Sequence, residues 1–130
     1  MNSNQKPTLQ NQKQSTSITG VTNVLYTNQI IYTNQYLQYG NYKFGVRADC
    51  NVVLLDGTSV VWTTGLSPQS GLCGAVLQGD GNFVLYNSNR QPLWASNTAG
   101  PSGKYVVILQ PDRNVVLYGP SRIETGTSVP

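Results

Sequence analysis

The feature that most constrains this 130-residue chain is an internal repeat. Segments opening Gly40-Asn41-Tyr42, Gly71-Leu72-Cys73 and Gly103-Lys104-Tyr105 each run through an apolar stretch, an Asp-x-Asn core and a second apolar stretch. The aspartates stand at 49, 80 and 112, a period of 31 or 32, and Trp62 and Trp94 keep that period. A unit this small cannot bury its own apolar face, so three copies must pack against one another. Short runs such as Val24-Leu25-Tyr26, Ile30-Ile31-Tyr32, Tyr36-Leu37 and Tyr42-Lys43-Phe44 alternate with turn signals at Asp56-Gly57, Asn87 to Asn89 and Gly119-Pro120. No window holds apolar residues at helical spacing over helical length. The expectation is an all-β chain: antiparallel strand hairpins in three small sheets about one axis, with the two indoles in the middle. Tyr26, Tyr32, Tyr36 and Tyr39 read as alternate positions of a half-buried sheet rather than as an aromatic surface.

Composition excludes much chemistry. There is no histidine, and the acids are Asp49, Asp56, Asp80, Asp112 and Glu124. A hydroxyl or thiol nucleophile has no imidazole to activate it. Two cysteines cannot build a zinc site without histidine, so no metal and no cofactor is expected. Glycosidases need two carboxyl groups about 5–9.5 Å apart, whereas the repeat aspartates fall on separate units. An enzyme is not expected. The eight basic residues are scattered and the net charge is +3, a poor footprint for nucleic acid. No apolar run approaches the ~20 residues of a membrane helix. Residues 1–20 are polar and aperiodic, which predicts a flexible arm ahead of a single domain over 21–130.

Within the repeat, copy two reads Gln78-Gly79-Asp80-Gly81-Asn82-Phe83-Val84-Leu85-Tyr86 and copy three Gln110-Pro111-Asp112-Arg113-Asn114-Val115-Val116-Leu117-Tyr118. Both fit Gln-x-Asp-x-Asn-x-Val-x-Tyr. On a strand, alternate side chains share a face. Gln, Asp, Asn, Val and Tyr would then stand in one row of ~13 Å, at ~3.3 Å per residue. Phe83, Leu85, Val115 and Leu117 would point to the core. The row offers acceptors, amide donors, a phenol and one apolar contact, but no nucleophile or fixed cation. That set suits adjacent hydroxyls and a C–H face, which describes a hexose. A lone Asp-x-Asn is usually a turn device; two nine-residue copies say more.

The pattern resembles the bulb-type, monocot mannose-binding lectins of the snowdrop-lectin type, over roughly Val21 to Thr127. The resemblance implies a β-prism II fold, three four-stranded antiparallel sheets around a pseudo-threefold axis. It implies α-D-mannose in each intact row, with Asp80/Asn82 or Asp112/Asn114 on the 2-hydroxyl and Gln78 or Gln110 near the 3-hydroxyl. Tyr86 or Tyr118 takes the 4-hydroxyl, and Val84 or Val116 covers C3 and C4. The Cys50 and Cys73 positions also match the family, implying a structural disulfide; free buried thiols are the alternative if the chain is cytosolic. Copy one departs: Arg47-Ala48-Asp49-Cys50-Asn51-Val52-Val53-Leu54-Leu55 replaces Gln by Arg47 and Tyr by Leu55. Arg47, Asp49, Asn51, Val53 and Leu55 form a degenerate site, dead or altered. The resemblance further implies a homodimer by exchange of the terminal strand. There Ile123, with Glu124 beside it in Arg122-Ile123-Glu124, takes the place of a third indole and argues against that exchange.

The function that follows is a lectin for mannose and high-mannose glycans or glycoproteins, a defence or agglutinating protein. The alternative is a storage or protein-interaction member of the fold that binds no sugar. The family and the cysteine pair point to secretion or the vacuole after signal removal; the missing apolar leader points to the cytoplasm.

Overall fold

The computed structural model describes residues 15–120. The expected Ile123 and Glu124 positions, and residues 1–14 of the expected arm, lie outside that range. The described chain forms twelve strands, β1 (Thr16–Ser17), β2 (Val24–Tyr26), β3 (Gln29–Tyr32), β4 (Tyr36–Tyr39), β5 (Tyr42–Val46), β6 (Val52–Asp56), β7 (Ser59–Thr63), β8 (Gly74–Leu77), β9 (Phe83–Tyr86), β10 (Pro92–Ala95), β11 (Val106–Leu109) and β12 (Val115–Tyr118). They make three sheets, ordered β4-β5-β6-β7, β1-β3-β8-β9-β10 and β12-β11-β2. Each sheet holds one copy of the repeat as a hairpin: β5–β6, β8–β9 and β11–β12. Each copy also borrows a strand from the Val24–Tyr39 stretch: β4 joins β5, β3 joins β8 and β2 joins β11. This is the β-prism II arrangement. The third sheet has three strands among the described residues.

Alternation decides what each sheet buries. Phe44, Val46, Val52, Leu54, Ala75, Leu77, Phe83, Leu85, Val107 and Leu109 all join one core. Burying a side chain of this size contributes roughly 1.5–3 kcal/mol. The interleaved Val76, Val84 and Tyr86, with Ile30, form a separate cluster on the opposite face of their sheet. The two faces of β9 are thus set by period two, as the strand pattern demands.

The Cys50–Cys73 disulfide ties copy one to the start of copy two across 23 residues. Closing a loop of that size contributes about 3 kcal/mol in the chain-entropy account. Trp62 and Trp94 meet edge-on, with ring centroids 5.7 Å apart, and Trp94 also meets Phe83 at 6.4 Å. Among the described residues, however, they do not close the middle. Trp62 is 41% exposed and borders a hollow of about 490 Å³ shared with Phe44, Phe83, Trp94, Val115 and Leu117.

One boundary differs from the sequence reading. Thr16 and Ser17 pair in parallel with Gln29 and Ile30. Thr16 N–H donates to the Asn28 carbonyl and Ile18 N–H to that of Ile30, both at 3.1 Å. Ile18 is buried in the core. One apolar anchor and an open strand edge suffice to order a polar segment that periodicity leaves unmarked.

Candidate functional site

The nine-residue motif is not one strand. Gln78 follows β8, Gly79 and Asp80 make a turn, and Val84 and Tyr86 lie on β9. Gln78 N–H donates to the Asn82 carbonyl at 2.9 Å and Gly81 N–H to the Gln78 carbonyl at 2.9 Å. Copy three repeats this with Gln110 to Asn114 (2.8 Å) and Arg113 to Gln110 (2.9 Å). The expected straight row of ~13 Å is therefore corrected to a hairpin, with Gln on one arm and Asn, Val and Tyr on the other. The cause lies in the motif itself. The Asp side chain caps the turn, taking the Asn N–H at 3.1 Å in copy one and 3.0 Å in copies two and three. The residue between them sits in the left-handed region: Cys50 at φ 70°, Gly81 at 85°, Arg113 at 74°. A Cβ on Gly81 would also come within 2.6 Å of the Tyr105 ring.

The hairpin brings the motif ends together. Gln78 Nε2 donates to Tyr86 Oη at 2.8 Å, and Gln110 Nε2 to Tyr118 Oη at 2.5 Å. Burial raises the Tyr86 phenol to about 12, with Asp80 adding to the rise and the Gln78 hydrogen bond opposing it. It therefore stays a neutral donor and acceptor at physiological pH. Each intact copy thus joins its Gln to its Tyr and its Asp to the Asn backbone within one hairpin, with the valine on the same strand as the phenol.

The copies differ in access. In copy three Asp112 and Asn114 are exposed, Gln110 and Val116 half-buried, and Asn114 Nδ2 donates to Asp112 Oδ2 at 3.2 Å. In copy two Gln78, Asn82, Val84 and Tyr86 are only 0–2% exposed, and Asp80 is half-buried. In copy one Arg47 donates through Nε and Nη2 to the two oxygens of Asp49, at 3.3 and 3.0 Å. That hydrogen-bonded pair holds the Asp49 carboxyl below the usual carboxylate range. Asn51 and Val53 are buried and Leu55 is half-buried where a phenol would stand.

The motif asparagine has a second duty that the sequence reading missed. Asn82 Oδ1 accepts from Ser96 Oγ (3.2 Å) and from the N–H groups of Asn97 (2.9 Å) and Thr98 (3.4 Å). Asn51 Oδ1 accepts from Thr64 Oγ1 (2.8 Å) and Leu66 N–H (2.7 Å). The asparagine oxygen latches the loop after the tryptophan strand. The signal was present: Thr64 and Ser96 each stand two residues after a Trp, with the repeat's own period.

Folds of this shape are known. The chain superposes on the mannose-specific agglutinin of snowdrop (Galanthus nivalis) bulbs, solved with methyl-α-D-mannoside, at TM-score 0.74 and 45% identity, covering 83% of this chain and 99% of that one. This chain belongs to the monocot mannose-binding lectin family. Over 66 residues, 51% of the chain, it is 41% identical to the mannose-specific lectin of Aloe arborescens. Over 65 residues, 50% of the chain, it is 47% identical to the mannose-specific lectin of Galanthus nivalis. Those alignments span 61% and 41% of the two relatives' own lengths. No family model matches the chain. Against the snowdrop-type pattern, copies two and three of this lectin-family chain keep the full motif and copy one does not.

Proposed function

We propose that this protein is a lectin that holds α-D-mannose in copies two and three, on Gln78, Asp80, Asn82, Val84, Tyr86 and on Gln110, Asp112, Asn114, Val116, Tyr118. The observation that carries the proposal is the pair of closed hairpins, each bonding the motif Gln to the motif Tyr and the motif Asp to the Asn backbone. The acid accepts from a hydroxyl and the amide donates to the same one. The phenol takes a neighbouring hydroxyl, and the valine covers ring carbons. A snowdrop relative of this fold was solved with methyl-α-D-mannoside. Nothing in the set activates a nucleophile, so the role is recognition without turnover. Copy three, with its exposed acid and amide, is the principal site. Copy one, whose acid is spent on Arg47, holds no mannose.

A single sugar at ~1 mM affinity corresponds to only about −4 kcal/mol. Repeated sites reach useful strength on branched, mannose-rich glycans by avidity, as an agglutinin or defence protein would. The Cys50–Cys73 disulfide supports an oxidising compartment, hence secretion or the vacuole. Retention on immobilised mannose tests the reading. Asp80→Ala with Asp112→Ala is expected to abolish retention that free mannose competes for, while the circular dichroism spectrum is kept. Unchanged retention in the double variant would falsify it. A second reading, a storage or interaction protein with residual sugar contacts, is favoured by the near-complete burial of the copy-two motif. It predicts no retention of the natural chain.

A further inference from the structure

We propose that Asp56, a residue of copy one, is a positioning residue for the mannose site of copy three, which it holds in place through Arg113. This rests on the mannoside reading above and deepens it, by naming what fixes the geometry of the more accessible site.

In every motif the residue between Asp and Asn turns the chain, at Cys50, Gly81 and Arg113. Each of the three is fastened to the next copy round the ring. Cys50 is bonded to Cys73, at the opening of copy two. Gly81 lies against the ring of Tyr105, at the opening of copy three, so closely that a Cβ would come within 2.6 Å of it. Tyr42, Cys73 and Tyr105 hold the same place in the repeat, 31 and 32 residues apart. Arg113 completes the cycle. Its Nη1 donates to Asp56 Oδ2 at 3.0 Å, and Asp56 is the cross-strand partner of Tyr42. One covalent bond, one packed ring and one ion pair thus perform the same task at three equivalent places.

The ion pair carries more of that task than its two counterparts. In copy one the Asp49 carbonyl also accepts from Gln69 N–H at 3.1 Å. In copy two the Asp80 carbonyl accepts from Gly100 N–H at 2.6 Å, and the Gly79 carbonyl from Gly103 N–H at 3.1 Å. Among the described residues the turn of copy three makes no such backbone bond to another copy. Its polar tie is Arg113 to Asp56, across 57 positions of sequence. Asp56 is held from both sides, paired with Tyr42 on β5 and with Ser59 on β7. The anchor is thus set within a sheet, while Asp112, Arg113 and Asn114 are all exposed.

The consequence for binding follows from the spacing. Arg113 stands between Asp112 and Asn114, the acid and the amide that would grip one hydroxyl. Asp112 also takes the Asn114 N–H at 3.0 Å, so a shift of Arg113 displaces both groups together. Hydrogen bonds weaken steeply away from their preferred distance and angle, and a site of few bonds feels a small displacement. Copy one therefore keeps a use: it anchors the turn of a copy whose motif is whole. The Arg113 and Asp56 side chains are 45% and 39% exposed. Such a pair is weak and is screened by salt. Mannose is uncharged, so ionic strength has no direct hold on its binding, and a salt-dependent affinity reports the ion pair.

The test is calorimetric titration with methyl α-D-mannoside, in an Asp80→Ala chain so that copy three is read alone. Asp56→Asn is expected to weaken binding about threefold at low salt, the scale an exposed ion pair permits. Raising NaCl from about 20 to about 500 mM should weaken the parent by a similar factor and leave Asp56→Asn unmoved. Asp56→Glu keeps the carboxylate and should keep most of the affinity together with its salt dependence, which a role in packing alone would not give. The urea midpoint is the folding control. If Asp56→Asn does not fold, Arg113→Gln tests the pair from the other side. A folded variant that matches its parent in affinity and in salt response overturns the inference and leaves the mannoside reading standing. So does an Asp80→Ala chain that holds no mannoside while the natural chain binds it. A natural chain that binds none overturns that reading, and the role of Asp56 with it.

Discussion

Arg47 grips Asp49 through Nε and Nη2, at 3.3 and 3.0 Å, and so occupies both oxygens of the acid that copies two and three keep for the motif. The pair is partly exposed, 39% and 29% for the two side chains, so it adds little stability. Its consequence is local: the motif carboxylate of copy one is already bound to a cation two residues away.

Restoring copy one therefore takes two changes. Arg47→Gln removes the cation and Leu55→Tyr supplies the phenol. The double variant is expected to bind one more mannose per chain by calorimetry, and Leu55→Tyr alone to add none, because Asp49 stays engaged. In Arg47→Gln the Asp49 carboxyl should also titrate higher, back toward the usual carboxylate range, by carbon NMR. In the natural chain the pair's contribution is present at neutral pH and is lost as pH falls through the depressed Asp49 value.

The asparagine latch separates stability from binding. Asn82→Ala strips the acceptor from Ser96, Asn97 and Thr98. Leaving such donors without a partner costs roughly 1–3 kcal/mol. Urea unfolding of Asn82→Ala should show that loss. Asn114→Ala removes an exposed amide whose side-chain partner among the described residues is Asp112, and should shift the midpoint by well under half as much while still weakening mannose retention. Equal shifts for the two variants would mean that Asn82 does not hold the loop.

Alkaline stability should turn on Tyr86. Its phenol is raised to about 12 in the folded chain against about 10 in an unfolded one. The folded state thus favours the proton. Its contribution is whole below pH ~10 and is lost as pH rises toward 12. Tyr86→Phe should flatten that fall in an unfolding series from pH 9 to 12, because the replacement has no proton to lose. An unchanged slope would exclude Tyr86 as the cause.

How much of this was legible beforehand can be argued from a few residues. Asp49, Asp80 and Asp112 at a period of 31 or 32, with Trp62 and Trp94 in step, already required three hairpin units around one core. Two-residue alternation correctly sent Phe83 and Leu85 inward and Val84 and Tyr86 to the other face. The same alternation, pushed through Asp80 and Gly81, failed. A side-chain cap and a left-handed residue turn the chain there, and local hydrogen bonds outrank periodicity. Asp-Gly was a turn signal in plain view.

What the linear chain determined by itself is therefore the set of groups and their spacing: two whole motifs, one broken one, and the hydrophobic period that builds the sheets. These follow from interactions between residues close in sequence. What only the tertiary structure decided is access and pairing. Thr16 finding the edge of β3, Asn82 holding Thr98, Tyr26 lining up with Tyr118 through Val106, and one motif buried while its twin stands open all depend on strands distant in sequence. No local pattern carries that information, because burial and cross-strand register arise only when separate segments share a sheet.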